Sequence, residues 1–257
     1  MRVLPEPCYI ISDAHLGVAP AQTEGALLAF LRYARSDAGS IVVNGDLFDF
    51  WFEWKHVLPR AGFRVFAALT DVADAGIPVV WVAGNHDCWG GEVIRKDGGI
   101  EYRMDGWRGS IAGWNARVDH GDGLREVEDR RYRALRRVLR NRLAMWAFRW
   151  LHPDLGARVA LGSSHASRTY KAKDNGEGLR RVAHRDLDAD PSLDLLVFGH
   201  SHVPALERTA SGRIYANAGT WIGDSTFLRV SQHEIALCRW AADDGSQQLI
   251  ALPRVAQ

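Results

Sequence analysis

Short apolar runs alternate with amphipathic patterns over the first part of the chain. The runs at 8–11, 41–44 and 78–82 predict strands that are buried on both faces. Between them, 23–35 and 63–75 repeat apolar residues at the spacing of one helix face. A strand–helix–strand–helix–strand order predicts parallel strands covered by helices, and this arrangement places a site at the carboxyl ends of the strands.

The pattern becomes less regular in the second part of the chain. Three short alternating runs predict further strands: 100–104, 107–112 and 116–118. An arginine-rich helical segment, 124–175, follows them and is called the insertion below. A helix at 177–188 and a buried strand at 193–198 come next. Three runs near the C-terminus predict the strands of a second sheet: 213–217, 227–240 and 247–252.

The first half of the insertion predicts a helix with one apolar and one basic face. Its apolar residues at helical spacing are Leu135, Leu139, Leu143, Trp146 and Trp150. A separate stripe consists of Arg133, Arg137 and Arg140. Such a helix ordinarily packs one face on a core and exposes the other. Because this helix interrupts the chain between two strands, we interpret the insertion as a lid over the site.

Composition is typical of an ordinary globular protein. The 257 residues are 47% hydrophobic and 25% charged, which fits a single domain over 1–257 with the insertion inside it. Apolar runs are too short to cross a bilayer, and Pro5 and Pro7 interrupt the N-terminal segment where a signal peptide needs its apolar core. The three cysteines lack C-x-x-C spacing, so we expect reduced thiols in a cytoplasmic protein.

Charge is near balance overall but uneven along the chain. A net charge of +1 argues against a protein that binds nucleic acid over a large surface. Residues 125–149 nevertheless hold nine arginines against three acidic residues. An anionic partner at this segment is therefore compatible with the sequence.

Ligand-type side chains follow five predicted strands. They are Asp13 with His15, Asp46, Asn85 with His86, His120, and His200 with His202. A single Gly-Asp pair such as 45–46 ordinarily marks a turn, but the repeated strand-then-ligand order favours a shared site. Carboxylates mixed with imidazoles suit Mn, Fe or Zn. This number of side chains fits two ions that share a carboxylate, with a hydroxide between the ions as the nucleophile.

The motifs and their order resemble the calcineurin-like binuclear metallophosphoesterase family. They are DAH at 13–15, GD at 45–46, GNHD at 84–87, HGD at 120–122 and GHSH at 199–202. The resemblance implies an α/β fold with a two-sheet sandwich flanked by helices. It assigns one metal to Asp13, His15, Asp46 and His202, and the other to Asp46, Asn85, His120 and His200. It also implies that His86 protonates the leaving group or stabilises phosphoryl charge, and that Asp87 orients His86.

Within this family the chain looks most like the UDP-2,3-diacylglucosamine diphosphatases of lipid A synthesis. The resemblance rests on GDLFDFWFEW at 45–54, on Tyr132 within the insertion, and on SSHASRTYK at 163–171. It implies cleavage of a UDP-linked acylated sugar into UMP and an acylated sugar 1-phosphate, with Mn²⁺ as the expected metal. The implied substrate contacts are Asn85, His86, Asp129, Ser167, Arg168, Lys171 and His200. A first-turn acid at Asp129 and a helix cap at Ser167 are equally consistent with the sequence.

The insertion fits such a substrate physically. We expect Leu139, Leu143, Trp146 and Trp150 to line an acyl groove, while the arginines face phosphates or an anionic membrane surface. One position departs from the best-known members, which carry arginine where this chain has His86, although a related group keeps histidine. The alternatives are a general phosphodiesterase or nucleotide pyrophosphatase acting on soluble substrates, and a scaffold without catalysis. A third is a nucleic-acid-processing role, which the basic helix permits but the near-neutral net charge and the tryptophan–leucine stripe disfavour.

Overall fold

A computed structural model of the protein describes residues 2–125, 129–169, 174–241 and 245–254; at 131, 161 and 163–169 the description covers the backbone. The strands are β1 Val3–Leu4, β2 Cys8–Ile11, β3 Ser40–Asn44, β4 Val79–Val82, β5 Glu101–Arg103, β6 Trp107–Ile111, β7 Trp114–Val118, β8 Leu195–Phe198, β9 Ala205–Arg208, β10 Ile214–Asn217, β11 Thr226–Val230, β12 Glu234–Ala241 and β13 Gly245–Pro253. The helices are α1 Ala21–Asp37, α2 Phe63–Asp74, α3 Arg130–Leu139, α4 Arg142–Phe148, α5 Pro153–Thr169 and α6 Glu177–Ala189, with a short π-helical turn at Val93–Asp97.

The strands form two sheets that pack against each other. A seven-stranded sheet has the order β13-β12-β11-β2-β3-β4-β5, and a six-stranded sheet has the order β1-β6-β7-β8-β10-β9. Strands β2, β3 and β4 pair in parallel, as the alternation of strands and helices predicts, and β5 also pairs in parallel with β4. The predicted mixed α/β fold with two sheets flanked by helices is therefore confirmed.

Side-chain alternation along the central strands builds the layers. Cys8 and Ile10 of β2 belong to the apolar cluster that fills the space between the sheets. Tyr9 and Ile11 point the other way, into the cluster shared with α1 and α2. The six-stranded sheet is covered on its outer face by α6, which packs against Leu196 and other apolar residues. Burial on both faces explains why these strands lack polar alternation.

The predicted grouping of the C-terminal strands is wrong. Strands β11, β12 and β13 extend the seven-stranded sheet, because β11 pairs antiparallel with β2. Among the runs predicted as a separate C-terminal sheet, β10 joins the six-stranded sheet, parallel to β8. Leu228 of β11 lies opposite Ile10, and both are fully buried between the sheets. Pairing with β2 therefore places apolar residues from the C-terminal strands in the same core as those from the N-terminal strands.

The described part of the insertion contains three helices, α3, α4 and α5, and its first half is not one continuous helix. The chain breaks between α3 and α4 at Asn141, whose side chain accepts hydrogen bonds from the backbone N–H groups of Leu143 (2.8 Å) and Ala144 (3.3 Å). Asn141 is thus an N-cap in the middle of the predicted helix. The apolar stripe is divided between two helices as a result.

Candidate metal centre

The carboxyl ends of five strands from both sheets meet at one edge of the sandwich. Asp13 and His15 follow β2, Asp46 follows β3, Asn85 follows β4, His120 follows β7, and His200 and His202 follow β8. Backbone hydrogen bonds tie these loops together: the Asp13 N–H donates to Gly45 O (3.1 Å), and the Gly199 N–H donates to His120 O (2.9 Å). The loops therefore share one rigid framework.

The predicted ligands form two groups of donor atoms. Atoms of Asp13, His15 and His202 lie within 4.8 Å of one another, and so do atoms of Asp46, His120 and His200. Asp46 Oδ2 lies between the groups, 3.2 Å from His120 Nε2 and 3.8 Å from His15 Nε2. This carboxylate oxygen is positioned to serve both groups.

Buried atoms at the centre lack hydrogen bonds. Four of them make none among the described residues: Asp13 Oδ1, Asp46 Oδ2, Asn85 Oδ1 and His120 Nε2. Buried polar atoms are almost always satisfied, because leaving them unpaired is costly. Acceptor atoms that converge in this way fit divalent cations, and the mixture of oxygen and imidazole nitrogen suits Mn, Fe or Zn. The structure thus holds a candidate binuclear metal site.

Hydrogen bonds on the outer ring nitrogens orient two of the histidines. His120 Nδ1 lies 2.8 Å from Asn44 O, and His15 Nδ1 lies 3.2 Å from Asp49 Oδ1. Since a carbonyl oxygen only accepts, the His120 Nδ1–H is the donor, and its Nε2 is left to face the centre. Hydrogen bonds of this type fix the ring orientation of metal-binding histidines.

Sequence reasoning did not single out Asp49. Its side chain is buried, and its carboxylate contacts His15 and lies 3.6 Å from His86 Nδ1. A signal was present, because Asp49 is an acidic residue within the aromatic run that follows Asp46. A buried acid in such a run needs a polar partner, which here is a histidine.

The electrostatics keep the central carboxyl groups ionised. Burial alone would raise the pKa of Asp46, but the facing His120 and His86 outweigh it and hold the pKa well below its usual value. Burial would also raise the pKa of Asp13, but the nearby His202 outweighs this effect and lowers the pKa. For His120 burial acts to lower the pKa, yet the charge of Asp46 raises it to about 10, so a cation that binds at Nε2 must displace a proton. The carboxylate form is the one that binds cations.

The backbone is strained at the predicted ligands. Five of them have positive φ angles: Asp13 (54°), His15 (45°), Asp46 (52°), His200 (61°) and His202 (59°). Such conformations cost non-glycine residues about 1–3 kcal/mol each and persist where the surrounding structure imposes them. Among the described residues, three other non-glycine positions have positive φ: Ala112, Asn175 and Ser225. The strain is therefore concentrated at the metal centre.

His86 lies beside the two donor groups with its ring largely buried. Its Nδ1 is 3.0 Å from Asp49 O, and its ring centroid is 4.8 Å from that of His15. Asp87 does not hold this ring, contrary to the prediction. Its carboxylate accepts from the backbone N–H groups of Gly84 (2.7 Å) and Leu47 (2.9 Å), so it braces the turn while Asp49 contacts His86. Burial and the nearby Asp46 raise the pKa of Asp87 to about 6.

Of the four predicted substrate contacts outside the metal centre, the structure describes the side chain of Asp129. Asp129 is buried, and its carboxylate is engaged by the backbone N–H and the guanidinium of Arg125 at 2.7–3.1 Å. It occupies the N-cap position of α3 without capping the helix. Ser167 lies inside α5 and not at its N-terminus, and the side chains of Ser167 and Arg168 are outside the description. Lys171 lies outside the described residues.

Aromatic residues join the insertion to the loop after Asp46. Phe50, Phe52 and Trp54 form a cluster against which Phe148 of α4 packs, with its ring centroid 4.9 Å from that of Phe52. Phe148 is also 4.6 Å from Trp89, centroid to centroid. The run at 47–54 is part of the segment on which the resemblance to the UDP-2,3-diacylglucosamine diphosphatases rests. It therefore packs directly against the insertion.

Most of the predicted apolar stripe is exposed, so among the described residues its side chains do not form an enclosed groove. Leu143, Trp146 and Trp150 are 75%, 61% and 76% exposed, whereas Leu139 packs against the core. Since Phe148 already faces the aromatic cluster, these three side chains are directed to solvent. Among the described helices, none is long and apolar enough to span a bilayer.

Comparisons with known proteins point to one family. A family model described as Calcineurin-like phosphoesterase matches residues 7–204. The UDP-2,3-diacylglucosamine hydrolase of Porphyromonas gingivalis is 32% identical over 216 residues, which cover 76% of this chain and 82% of that protein. The protein of the same name from Xanthomonas oryzae pv. oryzae is 31% identical over 248 residues, with 90% and 98% covered. A solved structure of a Vps29 mutant from Entamoeba histolytica is 15% identical, with a TM-score of 0.48 and 96% and 99% of the chains covered.

Proposed function

Since this chain belongs to the calcineurin-like phosphoesterase family and is a metal-dependent hydrolase, we propose that it cleaves UDP-2,3-diacylglucosamine. The pyrophosphate bond is broken, and UMP and 2,3-diacylglucosamine 1-phosphate are released. The convergence of two donor groups on Asp46 Oδ2 supports hydrolysis at phosphorus. The choice of substrate is supported by relatives named UDP-2,3-diacylglucosamine hydrolase, one of which aligns with 90% of this chain.

Two divalent cations are proposed to bind at the candidate centre, with Mn²⁺ preferred over Fe or Zn. Asp13, His15, Asp46 and His202 hold one, while Asp46, Asn85, His120 and His200 hold the other. When bound, such a pair supplies an activated water and neutralises phosphoryl charge. The unsatisfied buried oxygens and the ionised carboxyl groups support this assignment.

His86 is proposed to act on the departing sugar phosphate. Because Asp49 O only accepts, the His86 Nδ1–H is the donor in their 3.0 Å contact, and Nε2 is left for the substrate. A sugar phosphate is a weak base and needs little protonation as it leaves. In its doubly protonated form, His86 donates Nε2–H to the phosphoryl oxygens and so contributes mainly by stabilising their charge, with Asn85 and His200 as neighbouring contacts.

The insertion is proposed to be a lid within the single domain and to meet the lipid part of the substrate. Trp146 and Trp150 are exposed on a segment that also carries Arg142 and Arg149. Exposed aromatic residues next to arginines suit the interface of an anionic membrane. The enzyme is therefore proposed to work at the inner face of the cytoplasmic membrane.

The decisive experiment measures UMP release from UDP-2,3-diacylglucosamine in detergent micelles with added Mn²⁺. A small chromogenic phosphodiester serves as a second substrate, and the Asp46→Asn variant controls for contaminating hydrolases. We expect UMP release by the wild-type protein and none by the variant. Cleavage of the chromogenic diester without UMP release would instead establish a general phosphodiesterase. Absence of both activities and of bound metal would establish a scaffold.

A further inference from the structure

One buried carboxylate joins the metal-centre loop to the first helix of the insertion. Asp122 follows the predicted ligand His120 by two residues, and its side chain is 3% exposed. Its Oδ2 accepts a hydrogen bond from the Tyr132 hydroxyl at 2.8 Å and lies 3.1 Å from Arg136 Nε. Arg140 Nη2 lies 3.8 Å from the same oxygen.

The three partners of Asp122 follow one side of α3. Tyr132, Arg136 and Arg140 are spaced four residues apart, so they share one face over two helical turns. The opposite face is exposed, with Leu135 at 50% and Val138 at 57%. A rotation of α3 about its axis, or a shift by one turn, would break these contacts together. Asp122 therefore defines a single orientation of α3 relative to His120.

Burial of Asp122 strengthens its hydrogen bond from Tyr132 and its ion-pair contact with Arg136, although the Arg136 side chain is one-third exposed. The Arg140 side chain is 13% exposed, and its Nη1 also donates to Met104 O and Asp105 Oδ1, both at 2.8 Å. Charged hydrogen bonds in such surroundings are stronger than exposed ion pairs, and removing one partner leaves the other charge insufficiently paired. The loop that carries His120 is thus held to the insertion by charge as well as by packing.

We propose that Asp122 is a positioning residue that fixes the insertion over the metal centre and thereby supports binding of the acylated nucleotide. The carboxylate is directed at α3, and Asp122 is not among the residues proposed to hold the cations or to contact the reacting phosphate. Its effect is transmitted through α3, so it acts on substrates that touch the insertion and not on small ones. This inference rests on the proposed function for its substrate.

The test replaces the carboxylate by an amide of the same size, Asp122→Asn. We expect KM for UDP-2,3-diacylglucosamine to rise about tenfold, the effect of losing one charged hydrogen bond. The metal content and the turnover of a small chromogenic diester should not change. Asp119→Asn is the matched control, because Asp119 lies on the same loop but pairs with Arg117. Its KM should equal that of the wild type.

A second measurement is independent of substrate. Limited trypsin digestion should cut the insertion faster in Asp122→Asn than in the wild type. The double variant Asp122→Asn/Arg136→Gln should be digested about as fast as Asp122→Asn, because both substitutions remove the same contact. Loss of metal with equal loss of both activities in Asp122→Asn would overturn the proposal, as would unchanged KM and digestion. If the wild type cleaves the diester but not the acylated nucleotide, the proposed function fails, while digestion still decides the role of Asp122.

Discussion

The metal centre and the insertion are built in opposite ways. At the centre, buried polar atoms of loops from both sheets point inward, and strained backbone is held by hydrogen bonds between those loops. In the insertion, large apolar side chains such as Trp146 and Trp150 point outward. Its attachment to the rest of the molecule includes Phe148 and the contacts of Asp122. Changes at the centre should therefore affect every substrate, whereas changes in the insertion should discriminate between substrates.

The largest effect is expected at Asp46. Replacing it by asparagine removes the charge that lies between the two donor groups. We expect loss of bound metal and a decrease in turnover of about a thousandfold or more on both the acylated nucleotide and a small diester. Metal analysis by mass spectrometry and both assays measure this. Two metals per chain in the variant would refute the bridging position of Asp46.

A smaller effect, dependent on the leaving group, is expected at His86. His86→Ala should lower turnover about a hundredfold on a monoester with an alkoxide leaving group, which needs a proton. Turnover of the pyrophosphate should fall much less, since its leaving group is a weak base. Steady-state assays on the two substrates give the ratio. Equal losses on both would contradict the role proposed for this residue.

The smallest effect on turnover is expected in α4, where neighbouring residues have opposite environments. Phe148→Ala removes a partly buried ring packed among Phe52, Trp54 and Trp89, and should weaken attachment of the insertion by about 2 kcal/mol. We expect faster proteolysis of the insertion and a several-fold loss of activity on the acylated nucleotide, with the small diester unaffected.

The matched control is Trp146→Ala, two residues away on the exposed side of the same helix. Its proteolysis should match that of the wild type, because exposed positions contribute little to stability. If both variants were digested equally fast, the aromatic cluster would not be what attaches the insertion. If Phe148→Ala also slowed hydrolysis of the small diester, changes in the insertion would not discriminate between substrates as proposed.

Much of the site could be predicted because its signals are local in the chain. Each predicted ligand directly follows an apolar run, and the carboxyl ends of parallel strands necessarily meet at one edge. The roles of Asp49 and Asp87 are harder to predict, since Asp49 lies a few residues after a motif and Asp87 ends one, and the sequence does not say toward which neighbour each carboxylate turns. The turn at Gly84 engages Asp87, which leaves Asp49 to contact His15 and His86.

The sequence by itself determined most strands and helices of the two-sheet fold, though not β1, β9 or the separate helices of the insertion, as well as the order of the motifs and the kind of chemistry they permit. Only the tertiary structure decided that β11 to β13 join β2, that the insertion breaks at Asn141, and that its tryptophans face solvent. The reason is physical. Secondary structure and motif identity follow from residues close together in the chain, whereas sheet pairing and the direction of a side chain depend on which distant surfaces remain to be buried.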